Sequence, residues 1–146
     1  VAMVGGHGFA AGGGTIAGAQ PSSFGFSVRP PRRGVLQGSS LFVVQVNSTT
    51  SYVFWNAVPF GPPNSLTINC TPCTDQFKGN ATAQSYDRLT GAAPTSLGTG
   101  FTLQSDGVDN GTTGVPPDTY GFIANGPTPF TQPPSNITTG DIVVRP

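Results

Sequence analysis

Apolar and polar residues alternate along this chain in short runs, and the period is two. In SSFGFSV, Phe24, Phe26 and Val28 share one face. In LFVVQVN (41–47), Phe42, Val44 and Val46 do the same. Residues 51–58 (SYVFWNAV) follow after a Ser/Thr turn and predict a hairpin with that strand. Leu66 to Asn69 is a short strand, and Gln76 to Tyr86 sets Phe77, Gly79, Ala81 and Ala83 against polar neighbours. Phe101 and Leu103 lead into a turn rich in Asp, Gly and Pro (DGVDNGTTGVPPD), and Tyr120 and Phe122 lead out of it. That stretch, Phe101 to Ile123, predicts a hairpin with a bulky tip, because Gly, Asn and Asp favour turn conformations and Pro removes donors. Asn136 to Val144 is the last predicted strand.

Between these runs lie four Pro-Pro pairs, beginning at Pro30, Pro62, Pro116 and Pro133, all in predicted loops. Arg29 to Arg33, Arg88 to Gly98 and Ala124 to Ser135 read as loops. No stretch shows a helical period. The pattern predicts eight to ten short strands in an all-β, antiparallel β-sandwich, Ig-like or jelly-roll in kind. Residues 12–146 form that domain, and residues 1–11 form an N-terminal extension.

Composition changes the picture in three ways. Gly (21) and Pro (15) are abundant, but ten Phe supply the apolar surface that ordering requires. Charged residues are 8% of the chain, every acid is Asp, and net charge is zero. That removes the electrostatic case for nucleic acid or an anionic membrane surface as partner. No apolar run approaches the roughly 20 residues that span a bilayer, and the start at Val1 reads as if a leader peptide had been removed. Third, Asn-X-Ser/Thr occurs five times among eight Asn, at Asn47, Asn69, Asn80, Asn110 and Asn136, never with Pro at X. This excess points to an N-glycosylated, extracellular or cell-surface protein.

Candidate chemistry is sparse. Cys70 and Cys73 enclose Thr-Pro, a spacing suited to a small disulfide loop that pins a turn. A redox role requires a helix N-terminus to lower the thiol pKa, and a zinc site requires four ligands where His7 is the only histidine. His7 lies between glycines, a poor mounting for a catalytic base. Asp106, Asp109 and Asp118 surround one turn. They read either as turn caps or as a Ca²⁺ site completed by backbone carbonyls. Tyr52, Trp55 and Tyr120 are candidates for stacking on sugar rings, although Tyr52 and Trp55 have opposite parity on one strand. No stretch carries a catalytic signature, and the expected class is not an enzyme.

GGGTI near the start, FGFSV, GVLQG before the long Val run, FTLQSDGVDNG…PPDTYGFI, and the closing ITTGDIVV together resemble the post-COAP family of small secreted bacterial β-domains. Asp106, Gly107, Asp118 and Tyr120 sit at the positions of that family's Asp-x-Gly turn and returning Asp-x-aromatic strand. The likeness covers roughly residues 12–144. It implies a secreted, all-β domain and no particular activity. The extension, the Cys70–Cys73 insert and the sequons depart from the pattern.

The extension is the remaining clue. Val1, Ala2, Met3 and Val4 are apolar and β-prone, Gly-rich spacing follows, and eleven extended residues reach roughly 35 Å. Such a segment can add a strand to a sheet in its own chain or in a neighbouring copy. The sequence therefore points to a structural subunit of an extracellular glycosylated fibre or surface layer. It would assemble head to tail with copies of itself as partners, with covalent glycans and no cofactor. The alternative is a monomeric carbohydrate-binding or adhesion module whose partners are surface glycans.

Overall fold

A computed structural model describes residues 9–32, 35–56, 65–111 and 117–145. Eleven strands are found among them: β1 Phe9–Ile16, β2 Ser22–Arg32, β3 Val35–Gln45, β4 Thr50–Asn56, β5 Ser65–Asn69, β6 Cys73–Asp87, β7 Thr95–Ser96, β8 Phe101–Asp109, β9 Thr119–Asn125, β10 Phe130–Asn136 and β11 Thr139–Arg145. Every ladder is antiparallel, and nine strands run side by side in the order β10-β9-β8-β6-β4-β3-β2-β1-β11. The result is a strongly curled, sandwich-like all-β fold. No described helix is long and apolar enough to cross a membrane.

The period-two pattern dictates which face is buried. Phe24, Phe26 and Val28 of β2 point inward with Phe42 and Val44 of β3 and Phe54 of β4. They meet Phe77 of β6, Phe101 and Leu103 of β8, and Tyr120 and Phe122 of β9. The rings interlock across the two layers. Phe24 stacks on Tyr120 with centroids 3.9 Å apart, and Phe42 on Phe122 at 4.3 Å. Such stacked aromatic pairs add about 1 kcal/mol beyond their area burial.

The long strand β6 turns the corner between the layers. Cys73 to Ala81 pairs with β8, and within that half Thr74 to Lys78 also pairs with β5. Thr82 to Asp87 pairs with β4, and Gln84 and Ser85 also with β7. At the far end of the sheet, β11 has β1 on one side, and two carboxylates from the opposite layer meet its other edge. Ile142 N donates to Asp118 Oδ2 at 2.8 Å, and Val144 N donates to Asp109 Oδ2 at 3.0 Å. These side chains occupy amides that an open edge would present to another chain.

Several predicted loops are strand instead. Asp106 to Asp109 belong to β8, which β6 and β9 flank on both sides, so the tip of the central hairpin is shorter than its Asp/Gly content implied. Pro133 and Pro134 lie within β10, where a register shift between Gln132 and Ser135 absorbs them at the sheet edge. Arg29 to Arg32 continue β2, again across a register shift. Phe9 to Ala11, grouped with the extension on sequence grounds, pair with β11, Ala10 and Ala11 pair with β2 as well, and Ala10 is fully buried.

Candidate functional site

Four of the five sequon asparagines, Asn47, Asn69, Asn80 and Asn136, are exposed, and Asn110 is half-buried. Asn47 sits in the turn between β3 and β4. Its Oδ1 accepts from Thr49 N (2.9 Å), Thr49 Oγ1 (3.0 Å) and Thr50 N (2.8 Å). This Asx turn engages the carbonyl oxygen and leaves Nδ2, the atom to which a sugar is joined, outside those contacts. Asn110 differs, because its Nδ2 donates to Pro117 O at 2.8 Å. Three sequons gather along one end of the β5–β6–β8–β9–β10 layer. Asn69 faces Thr74, Thr74 faces Val108, Val108 faces Thr119 and Thr119 faces Asn136, with Asn110 two residues beyond Val108.

The β5–β6 turn beside this row is closed by the Cys70–Cys73 disulfide. A loop this short constrains the unfolded chain little. Replacing both cysteines by Ser is expected to cost about 2 kcal/mol, checked by urea denaturation of the variant against the parent.

The three carboxylates of the central hairpin do not converge. Asp106 accepts from Gln76 Nε2 and Gln104 Nε2, each at 2.9 Å. Asp109 accepts from Gly111 N as well as Val144 N. Asp118 accepts from Asn110 N as well as Ile142 N. Burial raises the pKa of Asp118, and the nearby carboxyls of Asp141 and Asp109 add to that, while the two amides oppose it. Among the described residues, no group of three or more His, Cys, Asp or Glu side chains is placed to hold a metal ion.

The aromatic candidates also separate. Tyr120 is fully buried against Phe24, which takes it out of any exposed sugar-stacking platform. Tyr52 and Trp55 are both half-buried on β4, and Tyr52 lies edge-on to the core ring Phe54. His7 and Val1 to Val4 fall outside the described residues.

One buried group was not singled out on sequence grounds. Asp75 is 3% exposed, and neither carboxylate oxygen has a hydrogen-bond partner of good geometry. It lies in an inward row with Ile68, Gly107 and Tyr120. Gly107 leaves room for that carboxyl, because a Cβ at that position would stand 2.2 Å from Asp75 Oδ1 and displace it. Burial raises the Asp75 pKa to about 7, and the Asp106 charge contributes; its own amide and that of Gly107 offset this only in part. The hydroxyls of Tyr120, Ser105 and Ser40 are likewise buried without a partner of good geometry, and burial raises the Tyr120 pKa while the nearby Ser105 and Ser40 hydroxyls oppose that rise. Asp75, Phe77 and Gly79 share one parity, so alternation extended two residues upstream of Phe77 was the available signal.

Comparison with family models, with curated proteins and with solved structures returned no match. The likeness to the post-COAP family therefore rests on its motif residues alone.

Proposed function

We propose that this chain is the structural subunit of an extracellular glycosylated fibre or surface layer, built head to tail by addition of the N-terminal strand to a neighbouring copy. The observation that carries this reading is the edge of β5. Among the described residues β5 pairs only with β6, and its sequence SLTIN contains no proline. It is thus a sheet edge with all its amide donors, unlike β10, which carries Pro133 and Pro134, and unlike β11, whose edge is met by Asp109 and Asp118. The anchor is suited to the role as well. From Ala10 onward β1 is flanked by β2 and β11, so a load on the preceding residues is resisted by two ladders. A contact between an N-terminal strand and a different surface on the next copy is heterologous, and when it does not close it yields filaments. The exposed sequons give glycans room to coat such a fibre, and the disulfide fits an oxidising compartment.

Deleting residues 1–8, and no further because Phe9 is already in β1, is expected to leave a folded monomer that forms no filaments. Electron microscopy and sedimentation of the variant check this, and filaments like those of the parent would overturn the strand-addition reading. Intact mass well above 14.9 kDa in native material is the expected sign of the glycans.

A further inference from the structure

Where β1, β3 and β6 end and β2 and β4 begin, the surface holds a cleft of about 580 Å³. Thr15, Ser23, Val43, Gln45, Ser51 and Arg88 are among its lining residues. Thr15 lies opposite Ser23, and Ser23 opposite Val43, so these three stand in one cross-strand row. The row continues as hydroxyls into β11, because Thr15 Oγ1 is 3.0 Å from Thr138 Oγ1 and 2.7 Å from Thr139 Oγ1.

Arg88 is held at the other side of the cleft. Its Nη1 donates to Ser51 Oγ at 2.8 Å, its Nη2 donates to the Asn47 carbonyl at 2.5 Å, and its backbone amide donates to Thr49 O at 2.8 Å. A guanidinium has five N–H donors, and these contacts use only part of that set. The adjacent Asp87 turns its Oδ1 to the amides of Leu89 (2.9 Å) and Thr90 (3.2 Å). Arg88 is thus an oriented, charged fork beside a row of hydroxyls, and its charge also reaches the adjacent Asp87 carboxyl, whose pKa the Leu89 and Thr90 amides lower most and Arg88 helps to lower.

We infer that this cleft binds an acidic saccharide, the Arg88 guanidinium receiving the carboxylate of a uronic acid residue and the Thr15–Ser23 row meeting sugar hydroxyls. The planar fork matches a planar carboxylate in a paired N–H···O geometry. Among the described lining residues Arg88 is the one cation, which matches one negative charge per recognised sugar. Val43 gives the row an apolar member for the C–H face of a pyranose ring. This site is independent of fibre assembly and serves a monomer and a filament alike.

The test is titration of the full chain with trigalacturonate, followed by amide chemical shifts, beside its methyl ester, which has the same sugars without the charge. The expected result is saturable shifts at Thr15, Ser23, Gln45, Ser51 and Arg88. Affinity for the ester is expected to be at least tenfold lower, and Arg88→Gln is expected to weaken binding of the acid by a similar factor. Equal binding of acid and ester, shifts centred elsewhere, or no saturable shift overturns the inference. Because Arg88 also ties down the β3–β4 turn, the Thr49 and Thr50 amides report whether the variant has lost that turn. If it has, the comparison of acid with ester on the unaltered chain decides.

Discussion

The stability advantage of Asp75→Asn over the parent is expected to grow by about 4 kcal/mol between pH 4 and pH 8. The reason is the buried, unpartnered carboxyl. In the folded chain its pKa is raised to about 7 from 3.8, roughly three units at about 1.4 kcal/mol each. Well below pH 3.8 the group is protonated in both folded and unfolded chains, and its titration adds nothing. As pH rises from 4 to 7 the unfolded chain releases the proton while the folded chain keeps it, so the parent loses stability along that interval. Above 7 the folded chain holds a desolvated charge and the loss is complete. The amide side chain of the variant cannot ionise, so the difference between the two proteins isolates this one group from every other carboxyl. Urea denaturation of both at closely spaced pH values provides the measurement. A difference that stays constant with pH would mean that Asp75 is hydrated or paired in solution.

Gly140→Ala is expected to cost roughly 4 kcal/mol, from about 1–3 for backbone strain and about 1–3 for overpacking. Gly140 has φ +100°, a conformation that L side chains rarely adopt, and a Cβ there would stand 1.9 Å from the carbonyl oxygen of Gly13. The obstacle is backbone on the partner strand, since Gly14 and Gly140 face one another in the β1–β11 ladder. Neither side can yield without parting the two strands. Gly25→Ala is the control. It also lies in a strand, but nothing stands within 4 Å of the added carbon, and its effect is expected within about 0.5 kcal/mol. Thermal or urea melts of the two variants check the contrast, and equal effects would refute the close approach of β1 to β11.

The fold was legible wherever large apolar residues alternated with polar ones. Phe24, Phe26 and Val28, then Phe42 and Val44, then Tyr120 and Phe122 are inward residues in the structure as their spacing predicts. Alternation fails where glycine or proline carries the strand. Residues 12–14 of β1 are three glycines, and β10 contains Pro133 and Pro134; both strands are held by pairing that leaves no mark on local composition. Asp106 and Gly107 were read as turn because those residue types favour turns, yet two flanking ladders hold them extended. The same limit applies to sites. Cys70 and Cys73 were readable as a disulfide because they are near neighbours in the chain. The Arg88 cleft is assembled from five strand ends far apart in sequence, and no local signal marks it.

The corner strand β6 has a consequence for how the molecule opens. Its first half is hydrogen-bonded within one layer and its second half within the other, so neither layer is an autonomous unit of unfolding. Peeling the layers apart requires breaking a strand that each of them needs, and that couples their fluctuations. Amide hydrogens in the middle of β6 should therefore exchange with deuterium only when the whole domain opens. Strands as distant as β2 and β9 should share that slow rate, while the two-residue β7 and the sheet-edge β10 exchange by local fraying.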